Sequence, residues 1–172
     1  MKAKYIISLM IVLYLISSEA CKKDVPTTPD QPAKSEYGSK VNDTAVNFTA
    51  KDQNNKDVSL YDYFGKVILF EFSADWCGPC RDEAPNLEVL YNEYKSRGFQ
   101  VITLLIDGSP SAWAQLYKQT FPVLNDNEKT IWNIYGEGLV PLNIIVDRRC
   151  VIKYKESGFS ESEIRAVIEK YL

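Results

Sequence analysis

Apolar positions along the chain fall into two patterns separated by polar stretches. Val67-Ile68-Leu69-Phe70-Glu71-Phe72 is apolar almost throughout, as expected of a strand buried on both faces. After it, Ala84, Leu87, Leu90, Tyr91 and Tyr94 recur at helical spacing, which predicts an amphipathic helix ending near Gly98, with Pro85 expected to kink it. A second strand is expected at Phe99 to Ile106. Asp107-Gly108-Ser109-Pro110 then supplies a cap and a first-turn proline for a helix through about Thr120. Further on, the pattern predicts a short strand around Pro122 to Leu124, a helix from about Glu128 to Tyr135, and strands at Leu142 to Val146 and Val151 to Lys155. Ser160 and Glu163 have capping-box spacing before Ile164, Val167, Ile168 and Tyr171. Upstream of the first strand, Val46 to Thr49 and Val58 to Leu60 alternate on either side of a polar turn at Asn54-Asn55, the mark of a hairpin, and Tyr61 to Gly65 reads as a short turn or helix. Parallel strands early and an antiparallel hairpin late imply an α/β fold, a mixed central sheet with helices on both faces.

The first 44 residues are different in kind. Lys2 and Lys4 precede an apolar stretch from Tyr5 to Ile16, then small and polar residues as far as Ala20. That stretch is shorter than the roughly 20 residues that cross a bilayer, so residues 1–20 read as a secretory signal. From Lys22 to about Asp43 the chain is polar, with Pro26, Pro29 and Pro32 and no apolar period. Residues 21–44 therefore read as a flexible tether with a reach of ~25 Å, and residues 45–172 as a single folded domain. A net charge of −3 offers no basic surface for nucleic acid. Nothing in the pattern asks for a second copy, and a monomer is expected.

Four cysteines lie in three unrelated contexts: Cys21, the pair Cys77 and Cys80, and Cys150. The pair belongs to Trp76-Cys77-Gly78-Pro79-Cys80, between the buried strand and the long helix. A cysteine at a helix start meets unpaired N–H groups and the positive end of the macrodipole, which favour thiolate over thiol. Cys77 is thus the expected attacking sulfur. Cys80, three residues on, lies on the same helix face within bonding reach. So short a loop gains little chain entropy when closed, which favours a redox disulfide over a structural one. The chain has no histidine, which removes Cys-His catalysis, the histidine-containing zinc sites and haem attachment, where Arg81 stands in the histidine position.

These residues resemble the thioredoxin-fold superfamily and, within it, the exported, membrane-tethered thiol-disulfide oxidoreductases of the TlpA and ResA type. The likeness spans about Ala45 to Leu172. It is carried by the cysteine motif, the F-x-x-x-D-x-x-x-x-x-V-x-L pattern from Phe48 to Leu60, Gly65-Lys66, and Gly138-Leu139-Val140-Pro141 followed by Ile144 to Asp147. It implies a thioredoxin-like fold with an N-terminal β-hairpin extension and a redox-active Cys77–Cys80 disulfide in place of any bound cofactor. Pro141 would be cis against the disulfide, Val140 would offer its backbone to a substrate strand, and Trp76, Gly78 and Pro79 would flank the substrate. Glu71, six positions before Cys77, matches the buried acid of thioredoxin, and the lysine that thioredoxin places near that acid falls at Thr103. Burial should raise the Glu71 pKa and let it accept a proton from Cys80. Cys150 stands in a turn where the family commonly has glycine, ~20 Å or more from Cys77, and reads as an incidental thiol. Leu15 to Cys21 resembles a bacterial lipoprotein signal, with Ser18 where that signal usually has leucine; Cys21 would then be lipidated.

The expected function is dithiol-disulfide exchange outside the cytoplasm, on the periplasmic side of a bacterial membrane. Its partners would be disulfide-containing exported proteins and a membrane electron donor, and Gly78-Pro79, the dipeptide of reducing thioredoxins, leans it towards reduction. Two alternatives stand beside it. A peroxiredoxin-like thiol peroxidase shares the fold and the early hairpin, but its Thr-x-x-Cys loop has no match, since Ser73 lies four residues before Cys77. A soft-metal-binding or metallochaperone module is possible for any C-x-x-C, but no second cysteine pair completes its site.

Overall fold

The computed structural model describes residues 36–172; the leader, Cys21 and the tether up to residue 35 lie outside the described residues. The chain runs β1 (Tyr37–Gly38), β2 (Thr44–Ala45), β3 (Thr49–Lys51), β4 (Asp57–Ser59), β5 (Val67–Ser73), α1 (Gly78–Tyr94), β6 (Phe99–Leu105), α2 (Pro110–Tyr117), β7 (Val123–Asn125), α3 (Trp132–Tyr135), β8 (Leu142–Val146), β9 (Ile152–Ser157) and α4 (Glu161–Tyr171). Five strands form the main sheet in the order β7-β6-β5-β8-β9. β5 at its centre is parallel to β6 and antiparallel to β8. This is the mixed sheet that the strand order predicts, and the fold is thioredoxin-like.

Strand alternation divides the interior in two. Ile68, Phe70 and Phe72 point to one face, where they pack with Trp113 and Ala114 of α2, Tyr135 of α3, and Phe48 and Val58 of the β3–β4 hairpin. Val67 and Leu69 point to the other, against Leu87, Leu90 and Tyr94 of α1 and Ile164 and Ile168 of α4. Each such leucine removed from water is worth about 1.5–3 kcal/mol, so the second cluster clamps α1 and α4 onto β5. The long helix gives way to a 3-10 turn at Lys95–Arg97 and stops at Gly98, whose φ of 92° suits glycine. In the hairpin, the Asp52 carboxylate accepts from the backbone of Asn54 and Lys56, which lets Asn55 take a φ of 62°. Among the described residues, no helix is long and apolar enough to cross a membrane.

Three elements depart from the sequence pattern. Order begins before Ala45: β1 and β2 pair in parallel, and residues 42 to 45 are bonded to the β8–β9 turn through Asn42 N to Ile152 O (2.8 Å), Ile152 N to Asp43 O (2.9 Å) and Ala45 N to Cys150 O (2.8 Å). This segment is held by its backbone, so it shows no apolar period. The helix expected from Glu128 shrinks to Trp132–Tyr135. Asp126 takes the N–H groups of Ile131 and Trp132 at 2.9 and 2.7 Å, and the preceding residues form a turn with Lys129 at φ 59°. At α4, Ser160 is the N-cap but its side chain makes no cap bond, and Glu163 reaches the Tyr154 hydroxyl instead, at 3.4 Å.

Candidate active site

β5 ends at Ser73, and four residues later, at Cys77, the chain turns into α1, so the strand delivers the cysteine motif to one pole of the sheet. Cys77 is the N-cap of α1, with Gly78 and Pro79 filling the first turn, where a missing N–H costs nothing. Its sulfur is bonded to that of Cys80 at 2.06 Å and accepts from Cys80 N at 3.2 Å. The sulfur thus occupies the cap position that serves an unpaired helix amide, where negative charge on Cys77 would also be favoured by the macrodipole. The neighbouring loop is set by β6: Asp75 N donates to Asp107 O, and Gly108 lies so close to the Asp75 side chain that a Cβ there would sit 2.4 Å from its Cγ.

The strand antiparallel to β5 brings the second half of the site. Val140-Pro141 is a cis peptide immediately before β8, and the Val140 carbonyl oxygen lies 3.6 Å from Cys77 Sγ. Pro141 O accepts from Gly158 N at 2.8 Å, which fixes the turn to the end of β9. Two large apolar side chains beside the site's elements stand in solvent: Trp76, which precedes Cys77, at 64% exposure, and Leu139, which precedes the cis Val140-Pro141 pair, at 70%. Trp76 was singled out in the sequence; Leu139 was not, and exposure of a lone leucine leaves no mark in a sequence.

Behind the disulfide, on the α1 side of the sheet, lies a group of buried polar residues. Glu71 on β5 pairs in register with Thr103 on β6 and Asn143 on β8. Ser73 shares its face, and Glu83 descends from α1; all five are buried. Both carboxyl groups are 1% exposed, and none of their four oxygens has a hydrogen-bond partner among the described residues. Burial pushes Glu71 up to about 8, against the opposing influence of the Ser73 and Thr103 hydroxyls. Burial also raises Glu83, to about 9; the charge of Glu71 adds to the shift and Asn143 opposes it. The sequence pointed to Glu71 and passed over Glu83. The available signal was its spacing, three residues after Cys80 and four before Leu87.

Cys150 takes no part in this arrangement. It occupies the β8–β9 turn, at the end of β8 remote from Pro141, buried and with a φ of 61°. That backbone conformation is the reason glycine suits the position. Burial and the Asp147 charge push its thiol up to about 11, which keeps it unreactive. Cys21 lies outside the described residues.

Comparison with known proteins agrees with this geometry. Residues 41–155 match the AhpC/TSA family. The chain is 30% identical over 127 residues to the thiol-disulfide oxidoreductase ResA of Geobacillus thermodenitrificans, covering 72% of each protein. It is 32% identical over 131 residues to ResA of Bacillus cereus, covering 74% of each. Among solved structures, the thioredoxin domain of a thiol-disulfide oxidoreductase from Bacteroides vulgatus superposes with a TM-score of 0.66 at 26% identity, over 80% of this chain and 99% of that one. With a bonded cysteine pair capping α1 and a cis proline beside it, the chain belongs to the AhpC/TSA family and is a thioredoxin-fold thiol-disulfide oxidoreductase.

Proposed function

We propose that this protein is exported, tethered to the periplasmic side of a membrane through lipidated Cys21, and reduces disulfides of exported proteins. The observation that carries the exchange chemistry is the Cys77–Cys80 disulfide at the start of α1, with the Val140 carbonyl 3.6 Å from Cys77 Sγ. In the reduced protein, the Cys77 thiolate attacks a substrate disulfide; one substrate sulfur leaves as a thiolate and the other is held in a mixed disulfide. The Cys80 thiolate then attacks Cys77 Sγ, closing the intramolecular bond and releasing the second substrate sulfur. Val140 lends its backbone to the substrate segment, and Trp76, Gly78 and Pro79 border it. Glu71 accepts the proton that Cys80 must lose. A membrane electron donor restores the dithiol. Support for export and tethering comes from the apolar leader, the lipoprotein-like stretch before Cys21 and the polar segment that follows it.

A Cys80→Ser variant in the native host tests the exchange, because it cannot release its substrate. Exported proteins should accumulate on Cys77 by a bond that dithiothreitol cleaves. Absence of any such adduct, together with peroxide consumption by the wild-type protein, would replace this reading with a peroxidase. Cys21→Ser should abolish incorporation of labelled fatty acid and release the protein from the membrane fraction; unchanged fractionation would remove the anchor.

A further inference from the structure

The Val140 carbonyl lies beside Cys77 because the segment before it holds one pose, and that segment has little of its own to hold it. Residues 136 to 140 join α3 to β8, and none of them is buried. Gly138 has a φ of 81°, and a Cβ there would meet nothing within 4 Å, so no packing fixes the turn. Gly136 N donates to Trp132 O at 2.6 Å and Leu139 N to Glu137 O at 3.0 Å. Both bonds are local and neither ties the segment to the sheet.

Two side chains of β9 supply that tie. Lys155 Nζ lies 2.6 Å from Glu137 Oε1, and Ser157 Oγ donates to Leu139 O at 3.4 Å. Lys155 and Ser157 pair in register with Ile144 and Leu142 of β8, both members of the first core cluster. They therefore project from one face of β9, ~6.6 Å apart. The Lys155 side chain is 6% exposed, whereas that of Glu137 is 67% exposed. The strand thus fixes the lysine, and the loop brings the carboxylate to it. An ion pair in open water is worth little, because solvent serves both partners nearly as well. Here the ammonium is already covered, and leaving it without a carboxylate is strongly unfavourable. The pose with Glu137 on Lys155 is accordingly the favoured one. Three residues further on the chain reaches Val140, and just beyond it Pro141 O accepts from Gly158 N at 2.8 Å. With both ends fixed to the end of β9, the backbone of Val140 between them has a set direction.

We propose that Lys155 is a positioning residue for substrate capture: through Glu137 it holds residues 136 to 140 in the pose that presents the Val140 backbone to a polypeptide beside Cys77. The proposal rests on the dithiol exchange set out above and adds no chemical step to it. Lys155 acts before the mixed disulfide forms, when an extended substrate segment meets Val140. Cys80 attacks from within the first turn of α1, so release of the substrate does not pass through Lys155. A small disulfide without a peptide backbone has nothing to pair with at Val140, and its reaction with Cys77 does not depend on the loop.

Two probes separate these cases. Full-length protein carrying Cys21→Ser and Cys80→Ser stops at the mixed disulfide and keeps Cys77 as its accessible thiol, because Cys150 is buried. Added to it, Lys155→Met and Glu137→Gln should each slow adduct formation with insulin roughly tenfold, while the rate with dithiodipyridine, a small aromatic disulfide, changes less than about twofold. The variant with both substitutions should be no slower than the slower single one. Unchanged insulin rates, equal slowing with both probes, or single effects that multiply would each overturn the proposal. Glu137 is exposed, so Glu137→Gln keeps the test decisive even where Lys155→Met lowers stability. Amide hydrogen exchange of the oxidised, full-length protein reads the pose without any thiol step. In Glu137→Gln the Leu139 amide should exchange roughly tenfold faster or more, with Gly158 unchanged; equal exchange at Leu139 also overturns the proposal. If protein with Lys155 and Glu137 intact reacts with dithiodipyridine but forms no adduct with insulin, the reading of polypeptide exchange falls, and exchange at Leu139 still decides whether the ion pair holds the loop.

Discussion

At the scale of single residues, the buried glutamates make stability depend on pH in a direction opposite to that of most carboxylates. Burial raises both carboxyls from the unfolded value of 4.5 to higher native values. The native state therefore holds more protons than the unfolded state between these limits. The stabilising contribution is complete below the unfolded pKa and is lost as pH rises through the native ones. Each carboxyl should remove about 1.4 kcal/mol per pH unit over the window where it is protonated only in the native state. Urea unfolding of the oxidised protein from pH 5.5 to 8 should show a falling midpoint, and Glu83→Gln should flatten the fall while raising stability at pH 8. A midpoint constant over that range would mean that the pair is ionised throughout. The same residues mark how far the sequence could be read. Glu71 was legible because a charge inside Val67 to Phe72 interrupts an otherwise apolar run. Glu83 was not, because Ala84 beside it completes a helical stripe by itself, and a neighbouring charge on an amphipathic helix resembles an outward-facing residue.

At the scale of elements, the site depends on how the loop after β5 leans on the loop after β6. Gly108 holds this contact: its φ is 127°, outside the range L-residues normally adopt, and the Asp75 carboxylate occupies the space of a side chain. Gly78, inside the motif, is unlike it, since a Cβ there meets nothing within 4 Å. Gly108→Ala should therefore cost about 1–3 kcal/mol and disturb Trp76 through the displaced Asp75, whereas Gly78→Ala should leave stability within about 0.5 kcal/mol. Urea midpoints and Trp fluorescence distinguish the two, and equal midpoints would show that the loop contact carries no strain. The sequence marked both glycines only as loop or motif residues, for the contact between two loops is made by register in the sheet. Strands and long helices were legible because their burial is continuous along the chain. α3 was misjudged because a carboxylate from outside it, Asp126, holds its first amides.

At the scale of the molecule, the sheet separates two poles. β5 and the start of β8 bring the disulfide and Pro141 to one, while the β8–β9 turn and the segment from residue 36 to Val46 occupy the other. That segment is tied by the three backbone bonds to Ile152 and Cys150, by Tyr61 Oη donating to Ala45 O at 2.7 Å, and by Tyr135 Oη donating to Val46 O. Its residues are mostly polar, so the sequence assigned them to the tether as far as residue 44, and hydrogen bonding rather than apolar burial joins them to the domain. Net values near 1 kcal/mol for each bond, with Ala45 wholly buried, set the contribution at about 5 kcal/mol. A protein starting at Glu36 should then unfold at the same urea concentration as one starting at Cys21, whereas one starting at Asn47 should lose most of that amount. Tyr135 also packs on Phe70 and Phe72 of β5, yet Cys77 and Pro141 lie at the opposite end of the strands. The Asn47 protein, assayed well below its unfolding transition, should thus keep its single-turnover exchange rate within about twofold. A rate that fell in step with stability would mean that the two poles are coupled through the aromatic cluster around Tyr135.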